Sequence, residues 1–401
     1  MRVLVAHNRY RAELPSGENR AVDLEIEALR TAGAHVIPYL RSSDEIETMS
    51  RPQKLRAAAS PLYSARAVRD VTDLIRSETP DVLHLHNPYP LISWGVVEAA
   101  HRRGVAVVQT VHNHRHTCMS GSYLRDGHPC HDCVGKGPWP GVVHHCYRGS
   151  RAQSVMMAGA LLSGRRAYTR IDRFLAVTPQ TAASLQAAGV APDRIVVKPN
   201  SAPDPGPQPV SGSGTLFVGR LTVEKGAPLL VEAWLRHPEG RLGELTVAGD
   251  GEERDRLAQR VGARRDIVLL GPVSPDRVSE LMGHSGVVVL PSTAEEALPL
   301  TLLEALAHGR AVAVSAVGGL PDVVGNELGW VIPATVDAWS AALPEIIAAD
   351  LSARGKAARA TYERSYLPGV VTARLLEVYA QAIAARRRAD GRSAAAPPLG
   401  G

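Results

Sequence analysis

Two glutamates, Glu296 and Glu304, stand on either side of Pro299 in the run Pro291-Ser292-Thr293-Ala294-Glu295-Glu296-Ala297-Leu298-Pro299-Leu300-Thr301-Leu302-Leu303-Glu304-Ala305. Proline suits the first position of a helix, where its missing N–H would be unpaired anyway and its fixed φ fits, so the sequence predicts a helix starting near Pro299. The free N–H groups and positive dipole end around Leu298, Pro299 and Leu300 would then seat a diphosphate. Glu304 falls about one and a half turns into that helix, while Glu296 stays in the loop before it. The two carboxylates therefore serve different ends of one ligand, one the hydroxyls of a ribose and the other those of a second sugar.

Two more elements carry the same kind of chemistry. In Val218-Gly219-Arg220-Leu221-Thr222-Val223-Glu224-Lys225-Gly226 the glycine at 219 admits a close backbone approach to phosphate. Arg220 and Lys225 add two cations able to neutralise a departing diphosphate without a metal. Ala248-Gly249-Asp250-Gly251 is a further glycine turn, with Gly249 and Asp250 on the same predicted rim. Singly, each has a plain explanation as solvated surface or an ordinary turn. Their joint order after successive strands is what argues for a site.

The elements that must position these residues are short β-branched runs alternating with longer Ala- and Leu-rich stretches. Val3-Leu4-Val5, Ala34-His35-Val36-Ile37, Asp81-Val82-Leu83-His84, Val105-Ala106-Val107-Val108 and Phe174-Leu175-Ala176-Val177 make a first series. A second series runs through Thr215-Leu216-Phe217-Val218, Leu245-Thr246-Val247-Ala248, Ile267-Val268-Leu269-Leu270, Val287-Val288-Val289-Leu290 and Ala311-Val312-Ala313-Val314. That alternation implies parallel βαβ units. Between the two series, five prolines and three glycines fall within residues 199–214, a composition that neither helix nor central strand accepts. The expected organisation is α/β, with two facing Rossmann-like domains and a cleft between them. Residues 1–200 form an acceptor-side domain, 201–214 a linker and 215–367 a nucleotide-sugar domain; 368–386 form a helix packing back on the first domain, and 387–401 a disordered tail.

Composition agrees with a globular chain: of 401 residues, 45% are apolar and 21% charged, and such a length predicts about two domains. The apolar runs are strand-length, well short of the ~18 residues of a membrane helix. The start, Met1-Arg2-Val3-Leu4-Val5-Ala6-His7, enters a strand without a secretory pattern, so a cytoplasmic location is expected. The net charge of +5 suits an anionic ligand or a loose contact with an anionic membrane face. Aromatic residues are only 4%, which leaves little for base-stacking, so no nucleic-acid partner is expected.

The order Gly-Arg-…-Glu-Lys-Gly, Ala-Gly-Asp-Gly, then Pro-Ser-…-Glu-x7-Glu-Ala with the later Gly318-Gly319 resembles the GT-B-fold retaining glycosyltransferases of family 4. The first half resembles them too, in Pro15-Ser16-Gly17-Glu18-Asn19, Leu85-His86-Asn87-Pro88 and Thr110-Val111-His112-Asn113. The resemblance implies a nucleoside-diphosphate-sugar donor, transfer to a hydroxyl with retention of configuration, and no catalytic metal or other cofactor. It implies diphosphate binding by Arg220 and Lys225, ribose binding by Glu304, donor-sugar binding by Glu296, a place for His112 at the reacting sugar, and Ser16 and Gly17 in the phosphate-facing first loop. The acceptor would be a saccharide, a lipid-linked molecule or a small molecule, with Asn87 on its side. One departure matters: the usual Gly-Phe-Gly after the first glutamate reads Ala297-Leu298-Pro299, which removes one backbone donor.

All four cysteines, Cys118, Cys130, Cys133 and Cys146, fall in one insert spanning 113–150 with the spacing C-x11-C-x2-C-x12-C. Four thiolates with one C-x2-C pair can enclose a structural zinc ion; free thiols or disulfides are the alternatives. The insert follows His112 directly, so Arg115, Arg125 and Arg148 are expected on an acceptor wall. Competing readings of the whole chain are a sugar-nucleotide epimerase on the same scaffold and a non-catalytic zinc-stapled binding protein.

Overall fold

A computed structural model of the chain describes residues 1–13, 16–206, 212–389 and 391. Pro15, the middle of the 201–214 linker and nearly all of the tail after 389 lie outside the described residues.

The first half is built on β1 (Arg2–Arg9), β2 (His35–Ser42), β3 (Val82–Leu85), β4 (Ala106–Val111), a small antiparallel hairpin of β5 (Leu124–Arg125) and β6 (His128–Pro129), then β7 (Arg173–Ala176) and β8 (Ile195–Val197). Six of these form one parallel sheet in the order β2-β1-β3-β4-β7-β8. Because successive strand side chains alternate faces, Leu4, Leu83, Val107 and Phe174 bury on one side of this sheet and Val3, Val5, Val82, Val108 and Leu175 on the other.

The second half repeats the plan with β9 (Thr215–Val218), β10 (Leu245–Ala248), β11 (Ile267–Gly271), β12 (Val287–Leu290), β13 (Ala311–Ser315) and β14 (Gly329–Ile332), in the parallel order β11-β10-β9-β12-β13-β14. Trp234 and Trp339, both fully buried, fill one face of it. The α/β class and the two Rossmann-like sheets agree with the sequence reading. Strand order reverses between β1 and β3 in one sheet and between β9 and β12 in the other, and ligands of open parallel sheets bind beyond the strand ends at such reversals.

The helix Pro368–Ala389 crosses back to the first half, where Leu375, Val378 and Tyr379 pack with Val3, Val22 and Leu175. It runs to Ala389, three residues past the expected limit of 386; Arg386, Arg387 and Arg388 in its last turn complement the negative end of the helix dipole. The described start of the linker is fastened to the second half, with Tyr362 Oη donating to Ala202 O at 2.9 Å and Arg359 paired with Asp204 at 2.8 Å. Among the described residues no helix is long and apolar enough to cross a membrane.

Candidate active site

After β12 the chain turns at Pro291 and Ser292 into the loop that carries Glu296. Lys225 Nζ donates to Glu296 Oε1 at 2.6 Å, and Ser292 Oγ donates to the same oxygen at 2.9 Å. Backbone contacts hold the loop: Thr293 N–H donates to Glu224 O and Gly319 N–H to Glu296 O. A Cβ built on Gly318, whose φ is +60°, would sit 2.3 Å from Glu296 O, so only glycine lets β13's exit loop press against the Glu296 backbone. Gly226 does the same against Pro291 O on the other side.

The helix behind this loop is Leu300–Ala307, and here the structure corrects the expectation. Pro299 is not the first helical residue; it is the N-cap, with extended ψ of 136°. Leu298 and Leu300 bury their side chains in the core, so only their backbone is left to face a ligand. Glu304 sits in the second turn, half-buried. Desolvation pushes its carboxyl pKa up, and Arg20 Nε at 3.5 Å opposes that rise. Arg220 is exposed just after β9. Gly219 and Gly249 touch so closely that a Cβ on Gly249 would overlap Gly219 O, while Asp250 accepts from Leu221 N–H through its carbonyl and from Gly251 N–H through its side chain.

Across the cleft, Ser16 caps the helix Gly17–Thr31 by accepting from Asn19 N–H, and the Cα of Gly17 faces open space. His112 follows β4, and its Nε2 lies 2.9 Å from His86 Nδ1. His86 is buried behind His112 and is not a rim residue. Its Nε2 lies 3.3 Å from Glu25 Oε1, and the other oxygen of Glu25 pairs with the buried Lys198. His84 is structural, bonded to Thr110 and Tyr379. Burial pushes the pKa of His7 and of His86 down to about 4 and holds His112 well below the usual imidazole range. The buried His112 ring is thereby held neutral, hydrogen-bonded to His86. A pocket opens beside it, lined among others by Glu18, Asn113 and Arg115. Asn87 spends its amide on Asn8 O and Tyr89 O and on Tyr89 N–H, so it shapes the loop.

The halves touch at residues that spacing alone did not single out. Glu295, next to Glu296, accepts from His131 Nε2 at 2.6 Å and from Gln180, and its N–H donates to Ser122 O. Arg20 reaches Glu304 from the first half. These contacts join the first half to the loop that carries Glu296 and to the helix that carries Glu304.

Residues 16–201 match the glycosyl transferase 4-like domain and residues 213–349 match the glycosyl transferases group 1 family. Two glycosyltransferase family models thus match the chain one after the other, on a GT-B fold. Its curated relatives include an uncharacterised glycosyltransferase of Methanocaldococcus jannaschii, 40% identical over 31% of this chain and 33% of that one. Another is the D-inositol 3-phosphate glycosyltransferase of Xylanimonas cellulosilytica, 32% identical over 43% of each. The matched stretches span less than half of these relatives' own lengths. In fold, the glycosyltransferase is similar to sucrose-phosphate synthase of Thermosynechococcus elongatus (TM-score 0.69, 18% identity, 96% of this chain and 99% of that one). It is also similar to Anabaena HepE in complex with UDP (TM-score 0.63, 14% identity, 95% and 100%).

Through Ser122 and His131 the insert grips the loop beside Glu296. Arg125 pairs with Asp132 at 2.6 Å and lines the cysteine cavity instead of the cleft, while exposed Arg148 lies over the Tyr147 ring. Cys118, Cys130, Cys133 and Cys146 are free and line one cavity of about 320 Å³. Their sulfurs do not form the expected tetrahedral set. Among the described residues, the one group of three or more potential ligands within 4.8 Å of one another is Glu25, His84 and His86, already engaged by Lys198 and Tyr379. The arrangement lends the zinc expectation no support.

Proposed function

We propose that the protein transfers a glycosyl unit from a nucleoside-diphosphate sugar to a hydroxyl of a saccharide, lipid-linked or small-molecule acceptor, with retention of configuration and without a catalytic metal. The observation that carries this reading is the Lys225–Glu296 pair at 2.6 Å at the β9/β12 reversal. Lys225 and Arg220 take the diphosphate, and the backbone at Leu298 and Leu300 adds the positive end of a helix. Glu304 accepts from the ribose hydroxyls and Glu296 from the donor sugar. As the bond from anomeric carbon to phosphate oxygen breaks, the two cations stabilise the charge growing on the diphosphate. The acceptor oxygen attacks on the same face, and its proton passes to that departing oxygen. His112 orients the reacting sugar as a neutral hydrogen-bonding partner. HepE, solved with UDP on the same fold, supports a nucleoside-diphosphate donor.

The test has two parts. Nucleoside diphosphates and their sugars should raise the melting temperature, because a ligand of the native state stabilises it by mass action; a flat profile across all of them would remove the donor. With the stabilising sugar nucleotide and an acceptor panel, transfer should persist in EDTA, give the donor's anomeric configuration by NMR and be abolished in Glu296→Ala. Unchanged turnover in that variant would remove the assigned role.

A further inference from the structure

We infer that the outer face of the amino-terminal half docks on an anionic lipid bilayer. Residues 48–69 and 133–171 contain no aspartate or glutamate. Folding brings these two stretches together. The helix Arg51–Ala59 packs near the helix Arg151–Ala167, and Trp139–Val143 packs beside the latter. Leu62 lies over Gly159, where a Cβ would come within 2.7 Å of its Cδ2.

This joined surface is apolar where a solvated face should be polar. Leu55 is 75% exposed, Val143 69%, and Tyr63 and Trp139 59% each. Trp139 and Val143 are one helical turn apart. On the longer helix Arg151, Val155, Gly159, Leu162 and Arg166 follow one another at intervals of four, four, three and four residues, a single stripe on one side. Leu161, the buried neighbour of Leu162, lines the cavity beside His112, so the helix separates that cavity from the surface it presents outward.

The charge pattern selects the occupant. Lys54, Arg56, Arg151, Arg165 and Arg166 are exposed, and none has a carboxylate partner among the described residues. Apolar side chains ringed by unpaired cations, with no acid among them, match an interface where acyl chains lie beneath anionic headgroups. A protein partner of ordinary mixed charge would leave these cations unanswered.

Sedimentation of the full chain with sucrose-loaded vesicles tests this. The protein should pellet with phosphatidylcholine vesicles containing about one-third phosphatidylglycerol and stay in the supernatant with phosphatidylcholine alone; raised salt should weaken the binding. Removing charges in K54Q, R56Q, R151Q, R165Q and R166Q should lower the partition coefficient by about fivefold per charge. L55S with V143S should lower it separately, and both sets should keep the wild-type melting temperature, since every changed side chain is exposed. Failure to bind the anionic vesicles, equal binding to both vesicle types, or undiminished binding in both variant sets would overturn the inference. So would vesicle-independent binding of single-stranded RNA lost in the charge variants, which would hand the surface to nucleic acid.

Discussion

Lys225 and Glu296, 71 residues apart in the chain, meet at 2.6 Å at the mouth of the cleft. The pair, with Ser292 Oγ donating to the same carboxylate oxygen, holds both side chains in place, and the proposed function gives the ammonium a part in the chemistry. Lys225→Met should lower kcat/KM by about 100-fold, the usual loss when one charge-stabilising donor is removed. Lys225→Arg should retain part of it. Steady-state release of nucleoside diphosphate measures both; equal rates in wild type and Lys225→Met would take the ammonium out of the chemistry.

Gly318→Ala tests the clasp on the loop. The added Cβ would sit 2.3 Å from Glu296 O at a φ of +60°, a strain costing about 1–3 kcal/mol. Because that strain falls on the Glu296 backbone, donor KM should rise by roughly five- to 150-fold if the strain is passed to donor binding, at 1.4 kcal/mol per factor of ten. A comparable substitution at Gly127, where the surroundings are open though φ is also positive, should leave KM alone.

Glu295→Ala removes the side-chain grip of His131 and Gln180 on the donor loop. Two hydrogen bonds at about 1 kcal/mol each amount to roughly a tenfold or greater loss of donor affinity, visible by calorimetric titration. His131 is exposed, so His131→Ala alone should cost less. If both variants bind donor like wild type, closure does not use this contact.

Glu25 and Lys198 form a buried ion pair. Glu25→Gln strands the lysine charge and should destabilise the fold by about 3–5 kcal/mol, whereas Glu25→Gln combined with Lys198→Met should recover most of that. Urea denaturation of wild type, both single variants (Glu25→Gln and Lys198→Met) and the double variant completes the cycle. The lone Gln variant matching wild type would show the pair to be dispensable.

The buried histidines make stability fall with acid. His7, His86, His114 and His116 have pKa values lowered to about 4 by burial, while an unfolded histidine titrates near 6.5. Below pH 6.5 the unfolded chain takes up protons that the folded chain refuses, so unfolding becomes easier as pH drops toward 4. Each group contributes at most about 1.4 kcal/mol per pH unit. The melting temperature should decline steadily from pH 6.5 to 4.5 and hold nearly level from 7 to 8; the reverse order would mean that these rings are charged in the native state.

The alternation of strands and helices was readable because central strands are continuously apolar. The two strands that escaped notice in the parallel sheets, β8 (Ile195-Val196-Val197) and β14 (Gly329-Trp330-Val331-Ile332), are both edge strands. With a neighbour on one side only, they are short and partly exposed, and Gly329 and Trp330 blur the pattern. Motif order likewise put Lys225 and Glu296 after successive strands, and the structure brings those two together. Glu25 with Lys198, Arg20 with Glu304 and Glu295 with His131 were not legible, since each pairing joins residues brought together by tertiary packing and no local period encodes it. Pro299 shows the limit of a local rule: proline stands at the helix boundary, but one residue earlier than its fixed φ alone suggests.

The returning helix Pro368–Ala389 means that the chain passes between the halves twice, once through the linker and once near Leu367. Two covalent connections constrain the relative rotation of the halves more than a single hinge would, because a turn about one crossing strains the other.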